Sequence, residues 1–251
     1  MSATHADPRP HPESVTGFVA DTITFSNVDG PGNRFVVFLQ GCNFDCVACH
    51  NPQTIPLAQG DHFRTSVAEI LERIRPAEPF LGGITVSGGE ATLQLDFVEA
   101  LFTAVKADPQ LSRLTCFVDS NGSLDDAGWQ RLRPVMDGAM IDLKCFDDEI
   151  HRSMTGQSNA DVLHSIEMLA GWGVLDEVRL LILHGVNDSA SLLRRTGEWL
   201  ASVDPAMRVK VIGFRAHGAR PHQPPLVEPT VGELTTAAAN LQVAALNLCI
   251  V

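Results

Sequence analysis

Six times along the chain, a short apolar, β-branched stretch is followed by a stretch with apolar residues at helical spacing. That alternation restricts the fold more than any other feature. The strand-like stretches are residues 34–40 (RFVVFLQ), 83–87, 114–119, 135–143 (VMDGAMIDL), 177–183 and 208–212, each rich in the residue types that suit a pleated, buried surface. Helical spacing follows over residues 66–74, 95–107, 124–132, 160–170, 191–201 and 231–246, with Thr65 or Ser66 placed to cap the first. Repeated βα units imply the α/β class, with parallel strands joined by right-handed crossovers. Six units are too few for a closed eight-stranded barrel, so an open doubly wound sheet and an incomplete barrel both fit. Residues 214–229, rich in Pro, Gly and His, read as a loop.

Composition narrows the function classes. The 251 residues are 45% hydrophobic and 19% charged, which suits a packed enzyme rather than a disordered chain. Residues 1–16 are expected to form a loosely attached tail and residues 17–251 a single domain. No apolar run approaches the ~20 residues that span a bilayer, and the first dozen residues lack the apolar centre of a signal peptide. A cytoplasmic protein is expected, with no membrane role. The net charge of −12, from 18 basic and 30 acidic side chains, argues against nucleic-acid binding, which needs clustered Lys and Arg against phosphates.

In either architecture, ligands bind at the carboxyl ends of the strands. The chemically unusual residues fall there: GCNFDC after the first strand, SGGE after the second, DSNG after the third, DLK closing the fourth and FRAHG after the sixth. Three of the six cysteines, Cys42, Cys46 and Cys49, crowd into eight residues. Such clustering points to metal or redox chemistry rather than to a disulfide framework. Three thiolates fall short of the four that hold an ordinary electron-transfer cluster, but they can hold three irons of a 4Fe–4S cube and leave the fourth open. The rival is tetrahedral zinc with His50 as fourth ligand, although adjacent Cys49 and His50 are poorly placed to reach one ion. The inert reading is three core cysteines. At the second strand, Gly88 and Gly89 allow close backbone approach and Glu90 could accept from an ammonium group; the plain alternative is a tight turn with a capping Glu. Asp119, Ser120, Asn121 and Gly122 read, on their own, as an Asx turn with Asn-Gly as its corner. Asp142 and Lys144 project to one strand face and would pair with each other or with a charged ligand.

GCNFDCVACHNP, preceded by DGPGNR, resembles the opening of the radical S-adenosylmethionine (SAM) enzymes that activate glycyl-radical enzymes. The resemblance runs from about Gly17 to at least His217. It implies a partial (β/α)6 barrel, one 4Fe–4S cluster on Cys42, Cys46 and Cys49, and SAM as cosubstrate. It implies SAM contacts at Ala48, Cys49, His50, Gly88, Gly89, Glu90, Asp119, Ser120, Asn121, Asp142, Lys144 and Arg179, the last facing the methionine carboxylate. It also implies a monovalent cation near Asp119, Ser120, Met140 and Asp142. The C-terminal contact falls to Arg215, which stands at the position of the family's histidine, or to His217 from two residues along; His222 reads as a loop histidine. The chain departs from the family at Ser120, which replaces the Thr of an Asp-Thr-Asn-Gly turn, and in two further places. Ala48 stands where many members carry an aromatic residue against the adenine, and residues 51–81 lack the cysteines of a second, ferredoxin-like module.

The chemistry implied by the resemblance is one-electron cleavage of SAM to a 5′-deoxyadenosyl radical, which takes hydrogen from a glycine of a partner enzyme. The expected partners are that glycyl-radical enzyme and a flavodoxin- or ferredoxin-type electron donor, with the activase itself a monomer. Two alternatives are a radical enzyme acting on a small molecule such as a deazapurine precursor, and a non-enzymatic zinc or redox-sensing module.

Overall fold

The computed structural model describes residues 11–57, 64–243 and 246–251. Its described strands form one nine-stranded sheet in the order β3-β1-β2-β4-β5-β6-β7-β8-β9. The six anticipated strands are β2 (Arg34–Leu39), β4 (Gly83–Gly88), β5 (Thr115–Ser120), β6 (Gly138–Asp142), β7 (Leu175–Ile182) and β8 (Arg208–Gly213). They are mutually parallel. Each new strand joins the same growing edge, with none of the order reversal of a doubly wound sheet. Right-handed crossovers that always advance in one direction keep the helices on one face and curl the sheet. The sheet does not close, because strands β3 and β9 lie at its two ends. This is the partial barrel implied by the resemblance.

Three strands went unanticipated. β1 (Thr16–Ser26) pairs antiparallel with β2, and β3 (Arg64–Ser66) pairs antiparallel with β1. The expected loose tail over residues 1–16 falls partly on residues 1–10, outside those described. Its remainder is seated: residues 12–14 form a 3-10 turn, Thr16 begins β1, and Val67 N–H donates to Val15 O at 2.9 Å. β9 (Asn247–Ile250) runs parallel to β8. The helix expected over 231–246 ends early, as α7 (Val231–Leu241), because Gln242 turns extended. The strand expected over 135–143 begins only at Gly138, since Val135 and Met136 still donate to Leu132 O and close the preceding helix.

The remaining helices are α1 (Val67–Ile74), α2 (Leu95–Ala107), α3 (Asp126–Leu132), α4 (Asp148–Thr155), α5 (Ala160–Gly171) and α6 (Ala190–Val203). Ser66 caps α1 in a reciprocal capping box with Glu69. α4 was missed because its sequence, DEIHRSMT, is polar, yet Asp147 caps its start and Gly156 ends it in the left-handed region.

Strand periodicity divides the sheet into two faces. Phe35, Val37, Ile84, Val86, Cys116, Val118, Ala139, Ile141, Val178 and Val209 point into the core shared with the helices. The alternate residues face the concave side, and many are polar: Arg34, Thr85, Ser87, Thr115, Asp119, Asp142, Glu177, Arg179 and Lys210.

Candidate active site

The loop after β2 lies across the carboxyl ends of the strands, and its backbone hydrogen bonds can be followed. Gly41 N–H donates to Thr54 O at 2.8 Å and Cys42 N–H to Ile55 O at 2.9 Å. Asp45 N–H and Val47 N–H donate to Thr155 O and Met154 O, both at 2.9 Å, so the end of α4 receives the loop. Phe44 packs edge-on against the buried His151 of α4, ring centroids 5.7 Å apart. The glycines of SGGE allow the same loop to approach β4. A Cβ on Gly88 would lie 2.2 Å from Leu39 N, and one on Gly89 would lie 2.2 Å from Gly41 O. Both positions therefore exclude a side chain on account of the protein's own backbone.

A cavity of about 300 Å³ opens at this end of the sheet. Cys42, Cys46 and Cys49 line it, together with Ala48 and His50 on the same loop. Gly88 and Gly89 at the end of β4, Asp119, Ser120 and Asn121 at the end of β5, and Asp142 and Lys144 at the end of β6 and just beyond it form its opposite wall. Arg179 of β7 completes the set. From the sequence Arg179 reads as the edge of a strand beginning at 177. β7 instead begins at Leu175, which puts Arg179 in mid-strand, opposite Asp142 and only 9% exposed.

The charged groups form a linked array. Lys144 Nζ lies 2.7 Å from Asp142 Oδ2. Burial works against the Lys144 ammonium, but Asp142 and then Cys46 outweigh it and hold it protonated. Arg179 sits 3.0 Å from Asp119 Oδ1 and 2.6 Å from Glu177 Oε1. Ser87 Oγ donates to Asp119 Oδ2 at 2.9 Å, whereas Asp119 Oδ1 has no aligned hydrogen-bond donor. Burial raises Asp119 to about 6 even against the pull of Arg179. Asn187 Nδ2 donates to Lys144 O at 2.9 Å and Leu181 O at 2.8 Å, bracing the end of β6 from the loop after β7. That bracing residue was not anticipated, since nothing local in the sequence marks it.

Two expected contacts lie elsewhere. Glu90 is 1% exposed and stands behind the cavity wall. Its carboxylate accepts from Thr92 N–H (2.9 Å), Thr92 Oγ1 (2.6 Å), Ser120 Oγ (2.8 Å) and Asn121 N–H (2.7 Å). It thus fastens the β4 turn to the β5 turn, with burial raising its pKa. His217 and Arg215 do not line the cavity, and Arg215 is paired with Glu228 at 3.4 Å. Met140 is fully buried at the register position opposite Asp119, where its sulfur receives Arg179 Nη2 at 3.0 Å.

The donor set suits an iron–sulfur cluster. Three thiols from one short loop line the cavity, yet among the described residues no group of three His, Cys, Asp or Glu gathers closely enough to hold a single ion. His50, the fourth ligand of the zinc reading, has Nε2 2.7 Å from Arg215 O. Burial pushes the Cys42 thiol up to about 11 and also raises Cys46, against the pull of Lys144. Loading this site with metal therefore releases protons.

Comparison with known proteins agrees. Residues 36–194 match the family model of the Radical SAM superfamily. The chain is 34% identical over 213 residues to a pyruvate formate-lyase-activating enzyme of Streptococcus mutans, covering 82% of this chain and 80% of that one. It is 29% identical over 240 residues to the enzyme of the same name from Staphylococcus epidermidis, covering 89% and 94%. A radical SAM methyltransferase from Sphaerobacter thermophilus shares the fold, with a TM-score of 0.64 at 16% identity over 87% of this chain and 66% of that one. By its matched family, its relatives and the thiol-lined cavity at its strand ends, the chain belongs to the radical SAM superfamily, in the company of the pyruvate formate-lyase-activating enzymes.

Proposed function

We propose that this protein activates a glycyl-radical enzyme by radical SAM chemistry, with residues 17–251 acting as one catalytic domain. The observation that carries this reading is the extended identity to the pyruvate formate-lyase-activating relatives, which spans the cysteine loop and the polar strand ends alike. Cys42, Cys46 and Cys49 would hold the 4Fe–4S cluster. When bound, such a cluster supplies one electron to the SAM sulfonium, releasing methionine and a 5′-deoxyadenosyl radical that takes a hydrogen atom from the partner's glycine Cα.

The protein's own groups bind and orient the cosubstrate. Lys144 and Arg179 present fixed positive charge to the methionine carboxylate, and Asp142 presents negative charge to the cationic end of the ligand. Gly88 and Gly89 offer backbone that no side chain covers. Ala48 leaves room where an aromatic residue would stand, which suits an adenine held by backbone and neighbouring apolar groups. The Asp119 carboxylate, which lines the cavity with Ser120 beside it, suits a monovalent cation. Glu90 supports this wall from behind.

The remainder of the reading is a cytoplasmic monomer that takes its electron from a flavodoxin- or ferredoxin-type donor. Among the described residues, no helix is long and apolar enough to cross a membrane. The test is electron-spin resonance on reduced, reconstituted protein with SAM. A stable carbon-centred doublet should appear only when a glycyl-radical enzyme is added, and it should collapse to a singlet when the target glycine is deuterated at Cα. Turnover of a free small molecule, with no radical stored on any protein, would overturn the reading.

A further inference from the structure

The loop after β8 contributes nothing to the charged wall of the cavity, yet it is bonded to the outside of the cysteine loop. Arg220 is the centre of that contact. Its Nε donates to Cys46 O at 2.9 Å, and its Nη2 lies 2.6 Å from Cys46 O, Asp45 O and Asp45 Oδ1. Its own N–H donates to Cys49 O at 3.2 Å. Nearby, His50 Nε2 meets Arg215 O at 2.7 Å, and the His50 and Phe214 rings lie 5.8 Å apart. Ala219 packs beside the buried cluster that contains Ala48, Cys145, Met154 and Phe214.

The cysteine loop is therefore held from two sides by different kinds of group. The end of α4 accepts its N–H groups at Asp45 and Val47, while residue 220 collects its carbonyls at 45, 46 and 49. Short loops between metal ligands carry carbonyls that regular structure cannot satisfy. A guanidinium is suited to several such acceptors at once, because its donors are fixed in a planar fork. Arg220 is only 27% exposed, while its carboxylate neighbour Asp45 is 73% exposed, so the ion pair itself is screened. The carbonyl contacts are the ordered part of the interaction.

We propose that Arg220 is a positioning residue: it clamps the backbone between the cluster cysteines and places a fixed positive charge behind Cys46. The assignment rests on the cluster reading above, and it has two separable consequences. The fork restrains the loop whether or not iron is present. The charge favours the more negative, reduced state of a cluster bound in front of it, through the outer-shell electrostatics that tune such centres.

The experiment compares Arg220→Gln and Arg220→Lys with the parent chain. In iron-free protein, amide hydrogen exchange at Asp45, Val47 and Cys49 should accelerate at least tenfold in both variants, because a lysine ammonium lacks the planar fork. Exchange at Val86 and Val118, inside β4 and β5, should stay as in the parent and certify the fold. In reconstituted protein, Arg220→Gln should lower the cluster midpoint potential and speed iron loss to a chelator, while Arg220→Lys should restore the potential but not the loop protection. Unchanged exchange in both variants overturns the clamp, as does full restoration of exchange by Lys. An unchanged potential in Arg220→Gln overturns the electrostatic half. A chain whose loop exchange depends on Arg220 but which never takes up iron overturns the cluster reading and leaves the clamp standing.

Discussion

The two ends of the concave face handle buried charge in opposite ways. At the amino end, Arg34 is fully buried, and all five of its N–H groups have protein acceptors. Nε donates to Thr85 Oγ1 at 3.0 Å, and Nη1 donates to Thr115 Oγ1 at 2.6 Å and to Pro31 O at 3.3 Å. Nη2 reaches Ile84 O and Thr115 O, and the guanidinium lies 4.5 Å from the Phe117 ring centre. Burial lowers its pKa to about 10, which leaves it charged at neutral pH. At the carboxyl end, Asp119, Asp142, Lys144 and Arg179 are linked to one another but line open space, and Asp119 Oδ1 has no aligned donor. A polar group saturated by its own protein is a cross-link. One that is charge-balanced yet incompletely bonded has capacity left for a ligand. The contrast separates scaffold from site without reference to any relative.

The comparison can be broken in four ways. The largest effect is expected at the thiols. Replacing Cys42, Cys46 or Cys49 with Ala should abolish the brown colour and the iron of the anaerobically reconstituted protein, whereas Cys116→Ala, Cys145→Ala and Cys249→Ala should retain both. Iron lost from Cys145→Ala would place a fourth ligand where none is expected.

Next is the amino-end cross-link. Arg34→Met leaves buried carbonyls and hydroxyls without donors and should cost about 3 kcal/mol of stability in denaturant titrations. SAM affinity of the folded fraction should stay as in the parent. A tenfold loss of affinity instead would erase the distinction between the two ends.

At the carboxyl end the pattern reverses. Asp142→Asn and Lys144→Met should leave iron content intact but weaken SAM binding, measured by calorimetry, by roughly 1.5–3 kcal/mol, or more than tenfold. Unchanged affinity in both variants would reduce their contact to an internal salt bridge.

The smallest effect is the titration of Asp119. Its folded pKa, about 6, is raised above the usual value of 3.8 by burial. The folded state then holds a proton that the unfolded state has released. In the absence of added cation, stability should fall as pH rises from about 4 to about 6, no more steeply than about 1.4 kcal/mol per pH unit, and level off above that. Cation binding needs the carboxylate, so any monovalent-cation dependence of SAM binding should fade as pH drops through 6. Asp119→Asn should remove both the slope and the cation dependence.

The cysteine triplet, the six-fold βα alternation and the position of polar motifs after strands were all legible in the sequence. They depend on spacing along the chain and on side-chain period, which no tertiary contact can alter. The capping residues of α4 were also present, as Asp147 and Gly156, but its polar body masked them. β3 and β9 escaped notice because an edge strand is defined by its neighbour more than by its own composition. Glu90 shows the same limit at the site. SGGE signals a ligand turn, yet which way the carboxylate points was decided by Ser120 and Asn121, thirty residues away. Arg220 lies about 175 residues from the carbonyls it holds, in a loop without regular structure.

The sequence by itself determined the chemistry available: three thiols on one loop, glycines where backbones meet, and paired charges on alternating strand positions. Only the tertiary structure decided which of those groups face the cavity, which brace it from behind, and which distant side chain closes over the cysteine loop. Those outcomes depend on burial and on hydrogen bonds between segments that meet only once the sheet has curled.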